Sequence, residues 1–157
     1  MNKINRKLEY ALIGLKHMRA KAPGELTSVK ELSSAYGCPF DATSRVMQVL
    51  AQKGVLISEQ GAHGGYMIGR DLVKLSFQEL SEILLGKIAI ARCLSDSSDV
   101  GEHACEIRGS CNIVTPVQML NRKLNEFYSR LSIAELLETR AMKASKAAAL
   151  ASNEVTV

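Results

Sequence analysis

The chain has 157 residues, 46% of them hydrophobic and 23% charged, the balance of a globular unit with its own apolar core and not of a low-complexity chain. No apolar run approaches the roughly 20 residues of a membrane-spanning helix, and Met1-Asn2-Lys3-Ile4-Asn5-Arg6-Lys7 has no apolar stretch of the secretory kind, so a cytoplasmic protein is expected. The net charge of +4 lies wholly in one half: residues 1–80 hold 11 Lys/Arg against 7 Asp/Glu and residues 81–157 hold 9 of each, an excess compatible with phosphate binding.

Leu8, Ala11, Leu12, Leu15 and Met18 recur at helical spacing and predict a first helix over about 6–20, ended by Ala22-Pro23-Gly24. Ser28-Val29-Lys30-Glu31 is a capping box opening a short second helix to about Ala35. Tyr36-Gly37-Cys38-Pro39 reads as a tight turn. Pro39 suits the first turn of a third helix to about Lys53, with Phe40, Val46, Met47 and Leu50 as its apolar face. Gly54 stops that helix. Val55–Glu59 reads as a strand, Gly61–Gly65 as a turn and Tyr66–Gly69 as the returning strand. Ser76-Phe77-Gln78-Glu79 is a second capping box, for a helix through Leu85. Residues 86–113 lose periodicity and form a long loop. Thr115-Pro116 starts another helix, along which Val117, Leu120, Leu124, Phe127 and Leu131 alternate steps of three and four. Such a stripe is too regular for a solvated helix, so it meets either a partner or the chain's own core. Ser132-Ile133-Ala134-Glu135 is a third capping box, and beyond Glu138 the chain is rich in Ala and Lys.

This order predicts a mainly α fold with a small β wing: a winged helix-turn-helix over 1–85, a cysteine-bearing loop over 86–113, a dimerisation helix region over 114–138 and a tail over 139–157. In such a fold the third helix enters the major groove and the hairpin reaches phosphates or the minor groove. The expected DNA contacts are Thr43, Ser44, Arg45 and Gln48 on that helix and His63, Gly64 and Gly65 in the wing. Arg45 can bond guanine in bidentate fashion, and Thr43 or Ser44 can meet a base edge or a phosphate. The two glycines would let the wing backbone approach DNA closely. Taken singly, each polar residue reads equally well as part of a solvated helix face.

Of four cysteines, Cys93, Cys105 and Cys111 fall within 19 residues on the loop, while Cys38 sits in the turn before the third helix, where a small apolar side chain packs well. Three soft thiolates on one Gly/Asp/Ser-rich loop suit an iron–sulfur cluster, Zn or Cu(I). The paired C-x2–4-C knuckles of structural zinc are absent from the sequence. A metal-free switch that joins Cys105 to Cys111 as a disulfide is the alternative. Nothing in the sequence resembles a nucleotide loop, a nucleophile triad or a catalytic carboxylate pair, so an enzyme is not expected.

Glu9-Tyr10-Ala11-Leu12, Val29-Lys30-Glu31-Leu32 and, most specifically, the wing from Gly61 to Arg70 resemble the Rrf2 family of transcription regulators. Cys111-Asn112-Ile113 before a long helix and Leu131–Leu137 after it are similar to that family's C-terminal pattern. Over roughly residues 1–138, the resemblance implies a homodimeric repressor, the helix near 114–131 packing on its mate, and an imperfectly palindromic operator in double-stranded DNA. It also implies an iron–sulfur cluster on Cys93, Cys105 and Cys111, a 4Fe–4S cluster in preference to 2Fe–2S, that senses nitric oxide, redox or iron status. The first cysteine gap, of eleven residues, is longer than the usual pattern. One branch of the family adds a His three residues after its last cysteine, where this chain has Val114. Another branch takes a carboxylate from the partner's first helix, at the position of Glu9. His103, inside the loop, is the rival fourth ligand.

Overall fold

The computed structural model describes residues 4–61, 63–87, 89–91, 94, 105–107 and 109–138. Its elements run α1 (Arg6–Arg19), α2 (Val29–Tyr36), α3 (Phe40–Gln52), β1 (Leu56–Glu59), β2 (Gly65–Ile68), α4 (Phe77–Leu85), α5 (Val114–Arg130) and α6 (Ile133–Leu137). All three capping serines cap: the hydroxyls of Ser28, Ser76 and Ser132 accept the backbone N–H of Glu31, Glu79 and Glu135, each at 3.1 Å. Each bond satisfies one of the donors that a helix start leaves without a partner.

The core is aliphatic. Leu15 of α1, Leu32 of α2, Met47 and Leu50 of α3, Leu75, Leu80 of α4 and Ile133 of α6 are fully buried together. β1 and β2 pair antiparallel from Leu56↔Ile68 to Glu59↔Gly65. A contribution not expected from the sequence comes from Thr27, just before α2. Its N–H donates to Tyr66 O at 2.8 Å and its carbonyl accepts from Tyr66 N at 2.9 Å, so the wing leans on the helix-turn-helix.

The region 114–138 is not one unit. α6 returns to the N-terminal domain, and Ile133, Ala134 and Leu137 are buried in its core. The N-caps of α4 and α6 lie side by side: Phe77 N donates to Leu131 O and Ile133 N to Leu75 O, both at 2.8 Å. The Arg19 guanidinium, at the end of α1, donates to the Ala134 carbonyl at 2.6 Å. α5 is therefore tied to the winged domain at its C-terminal end by α6. It also packs on α4, where the Phe77 and Tyr128 rings lie 5.1 Å apart.

Phe40, expected on the buried face of α3, is instead 54% exposed. Phe40 is the first residue of α3, and of that helix Thr43, Val46, Met47 and Leu50 are the buried residues.

A polar brace holds α2 against α1. His17 Nδ1 lies 2.9 Å from the Tyr36 hydroxyl and Nε2 lies 2.8 Å from Glu31 Oε1. An ionised carboxylate only accepts, so Nε2–H is the donor there. Lys21 Nζ, 2.7 Å from the same oxygen, holds the Glu31 carboxyl below its ordinary value of 4.5; partial burial opposes this and His17 adds to it. A lowered folded-state pKa contributes stability above the unfolded value and loses it as pH falls through the folded one. Glu31→Gln should therefore melt below wild type at neutral pH, by about 1 kcal/mol or less for so exposed a pair. The gap should close well below pH 4.5. A gap that persists in acid would assign the loss to geometry and not to charge.

Candidate nucleic-acid interface and thiol loop

α3 carries the candidate reading face because its opposite side is spent on the core. Arg45 and Gln48 are exposed and Ser44 is half-buried. Gln48 Nε2 donates to Ser44 Oγ at 3.4 Å, one turn away, which pre-aligns both groups on the surface. Among the described residues Arg45 pairs with no carboxylate, so its five donors are available to a ligand.

Thr43 does not belong to this face. It is 1% exposed, and its hydroxyl finds no hydrogen-bond partner among the described residues. Its place three and four residues before Val46 and Met47 puts it on the core stripe, which counting back from those residues would have shown. Replacing a buried, unsatisfied hydroxyl by a methyl removes a cost of about 1–3 kcal/mol. Thr43→Val should raise the melting temperature and leave DNA affinity unchanged, as calorimetry and gel shifts can check. A loss of DNA affinity without a loss of stability would return Thr43 to the interface.

The wing places Gly64 and Gly65 against the protein itself. A Cβ on Gly64 would collide with the Glu59 carbonyl, and one on Gly65 would lie 2.7 Å from the Thr27 carbonyl oxygen. These glycines are needed for the hairpin to close and to meet Thr27, which is a sufficient reason for them without DNA. His63 is exposed beside them in the turn. Between wing and α3 runs a cleft of about 580 Å³, to which Lys30, Phe40, Gln48, Gln60, Gly64 and Gly65 all contribute. The structure thus brings α3 and wing residues to one groove wall. A second hollow, on the α1 side of α3, has Lys7 and Arg45 over the apolar floor of Val46, Val49 and Leu84.

Of the expected metal ligands, Cys93 and the rival His103 lie outside the described residues. Cys105 and Cys111 are free, half-buried thiols, and Cys111 stands two residues before Ile113, the N-cap of α5. Two partly accessible thiols fit a soft metal or cluster, and equally a reversible oxidation. Cys38 is buried in the turn between α2 and α3. Glu9, half-buried in the first turn of α1, accepts from Arg6 Nη1 at 2.6 Å. The Arg6 side chain is 79% exposed, so releasing the carboxylate to another cation costs little.

α5 has no buried residue. Six apolar residues in and beside it fall on two lines of period seven. Val117, Leu124 and Leu131 are half-buried, on the side of the chain's own domain. Ile113, Leu120 and Phe127 are 55%, 51% and 59% exposed. Among the described residues no helix is long and apolar enough to cross a membrane.

Comparison with known proteins agrees with this arrangement. A family model described as "Rrf2: Iron-dependent Transcriptional regulator" matches residues 4–139. The HTH-type transcriptional regulator NsrR of Bacillus subtilis is 25% identical over 124 residues, 79% of this chain and 77% of that one. Among solved structures, the global cysteine regulator CymR of B. subtilis superposes with a TM-score of 0.65 at 18% identity, covering 87% of this chain and 97% of CymR. T. potens IscR superposes with a TM-score of 0.60 at 16% identity, covering 87% and 86%. Both share the winged helix-turn-helix fold.

Proposed function

The chain belongs to the Rrf2 family and is a DNA-binding transcriptional regulator, not an enzyme, and from that premise we propose that it is a homodimeric repressor whose operator affinity is set by an iron–sulfur cluster. Cys93, Cys105 and Cys111 would hold the cluster, 4Fe–4S in preference to 2Fe–2S, with Glu9 of the partner subunit as fourth ligand. The observation that carries this reading is the position of Cys111: it stands two residues before the N-cap of α5, a helix that packs on α4 and is tied to the DNA-binding domain by α6 at its end. A change at Cys111 would shift the start of α5, and α4, which touches both α5 and α3, would pass the shift on.

When bound, the cluster supplies a group that reacts with nitric oxide or oxygen and is lost when iron is scarce. The chain supplies the rest. Its thiolates bind the soft metal, and the Glu9 oxygen, a hard donor, leaves one bond labile. In a dimer, Glu9 would join the loop of one protomer to α1 of its mate. The two states need to differ in DNA affinity by only about 1–3 kcal/mol for the switch to work. On the DNA side, Arg45, Ser44 and Gln48 would meet base edges in an imperfect palindrome, and His63 in the wing would meet the backbone. Arg45→Ala should cost about 1–3 kcal/mol on the operator if it reads guanine. Gel shifts on operator and scrambled duplexes at one salt concentration decide, since equal losses on both would make Arg45 a phosphate contact only.

Anaerobic purification followed by iron and sulfide counts per dimer tests the cluster itself. A brown, iron-loaded protein whose operator affinity changes on exposure to nitric oxide is the expected result. A colourless, iron-free protein that instead forms a Cys105–Cys111 disulfide on oxidation would replace the cluster by a thiol switch. That alternative has its own support in the two free, half-buried thiols.

A further inference from the structure

α3 opens on a side chain that the core does not use. Phe40 is more than half exposed, although Val46, Met47 and Leu50 of the same helix are buried. At about 100° per residue, Phe40 lies roughly 120° around the helix from Val46 and about 20° from Met47, at the edge of the buried stripe. Ser44 and Gln48 follow it one and two turns on, so the three share a stripe. The lower two are already joined by the Gln48–Ser44 hydrogen bond. Phe40 has no aromatic partner among the described residues, and with Gln48 it lines the cleft between α3 and the wing.

The N-terminal residues of a reading helix are those that reach base edges. The feature of the major groove that an apolar side chain recognises is the C5-methyl of thymine. We infer that Phe40 reads a thymine in each half-site through that methyl group, as the apolar end of the stripe that Ser44 and Gln48 continue. Eight residues of helix rise about 12 Å, some three base-pair steps, so this thymine lies about three steps from the base that Gln48 contacts. The inference rests on α3 entering the major groove.

The test uses the full chain, purified anaerobically, and duplexes it enriches from a random-sequence pool. Each thymine of the enriched site is replaced in turn by deoxyuridine, which deletes only the methyl. One thymine per half-site should weaken wild-type binding about fourfold when replaced, the worth of one buried methyl-sized group. Phe40→Ala should bind the thymine and uracil sites equally while staying folded, since the side chain is more than half exposed. Phe40→Leu, which keeps an apolar side chain, should retain part of the preference. If no thymine methyl matters to wild type, or if Phe40→Ala stays as methyl-sensitive as wild type, the inference fails while reading by α3 stands. If no sequence is enriched, both fail.

Discussion

Cys93→Ala, Cys105→Ala and Cys111→Ala should each leave the anaerobically reconstituted protein with almost no iron or sulfide, while Cys38→Ala keeps the wild-type content. A four-iron cluster needs four donors, and the loop offers only three thiolates. Removing one leaves two soft ligands and a carboxylate, too few to hold the metal against free thiols in the buffer. Cys38 is buried in the turn between α2 and α3 and is only 7% exposed, so its loss should lower stability by about 1 kcal/mol without touching iron. The three loop variants should bind the operator alike, with the affinity of the iron-free protein. Glu9→Ala belongs to a different class. It should still assemble a cluster, with solvent in the open position, and react with nitric oxide at a changed rate. Glu9→Cys should give a more inert, all-thiolate site. A full cluster in any loop-cysteine variant would remove that cysteine from the ligand set. Wild-type spectra and nitric-oxide rates in both Glu9 variants would move the fourth bond to His103 or an external thiol.

What the sequence made legible is what depends on neighbours three or four residues apart. The capping serines, the helix periods and the glycine-tipped hairpin are local, and each formed within a residue or two of its expected place. Thr43 and Phe40 went to opposite sides from the ones expected, the first because residue type was weighed above phase. Thr43 is polar but in step with Val46, Met47 and Leu50; Phe40 lies only about 20° around the helix from Met47 yet stays exposed at the first residue of α3. The Thr27–Tyr66 pairing is a single bridge across 39 residues of chain, and no periodicity announces a bridge of one residue. The destination of α6 was equally hidden. Five residues with four apolar positions can cover any nearby hydrophobic surface, and it is bonds such as the Ser76–Ser132 pairing and the Arg19 contact that show which one. Gly64 and Gly65 were legible as wing residues open to DNA or as a plain hairpin turn, and contact within the protein is already a sufficient reason for them.

The same phase argument turns the stripe on α5 into the second large prediction. Read as one seam, Val117, Leu120, Leu124, Phe127 and Leu131 invite Leu124→Glu as the disrupting change. The structure separates that seam into two lines, and Leu124 is on the half-buried one beside the chain's own domain. A charge there would damage the fold as well as an interface. Ile113, Leu120 and Phe127 make the exposed line. Their period of seven on a helix of 3.6 residues per turn keeps all three within about 40° of one another over some 21 Å. A line of that length and register matches a second copy of itself packed at a shallow angle, as in a two-helix coiled coil. Leu120→Glu combined with Phe127→Glu should therefore convert a dimer into a folded monomer in analytical ultracentrifugation, with the far-ultraviolet helical signal retained. Such a monomer reaches one half-site at a time and loses the effective concentration that a linked pair provides, so operator affinity should fall about a hundredfold or more. Affinity for an isolated half-site should be unchanged. A double variant that remains dimeric would place the interface elsewhere, and a Glu9 supplied across it would have to be sought on that other face.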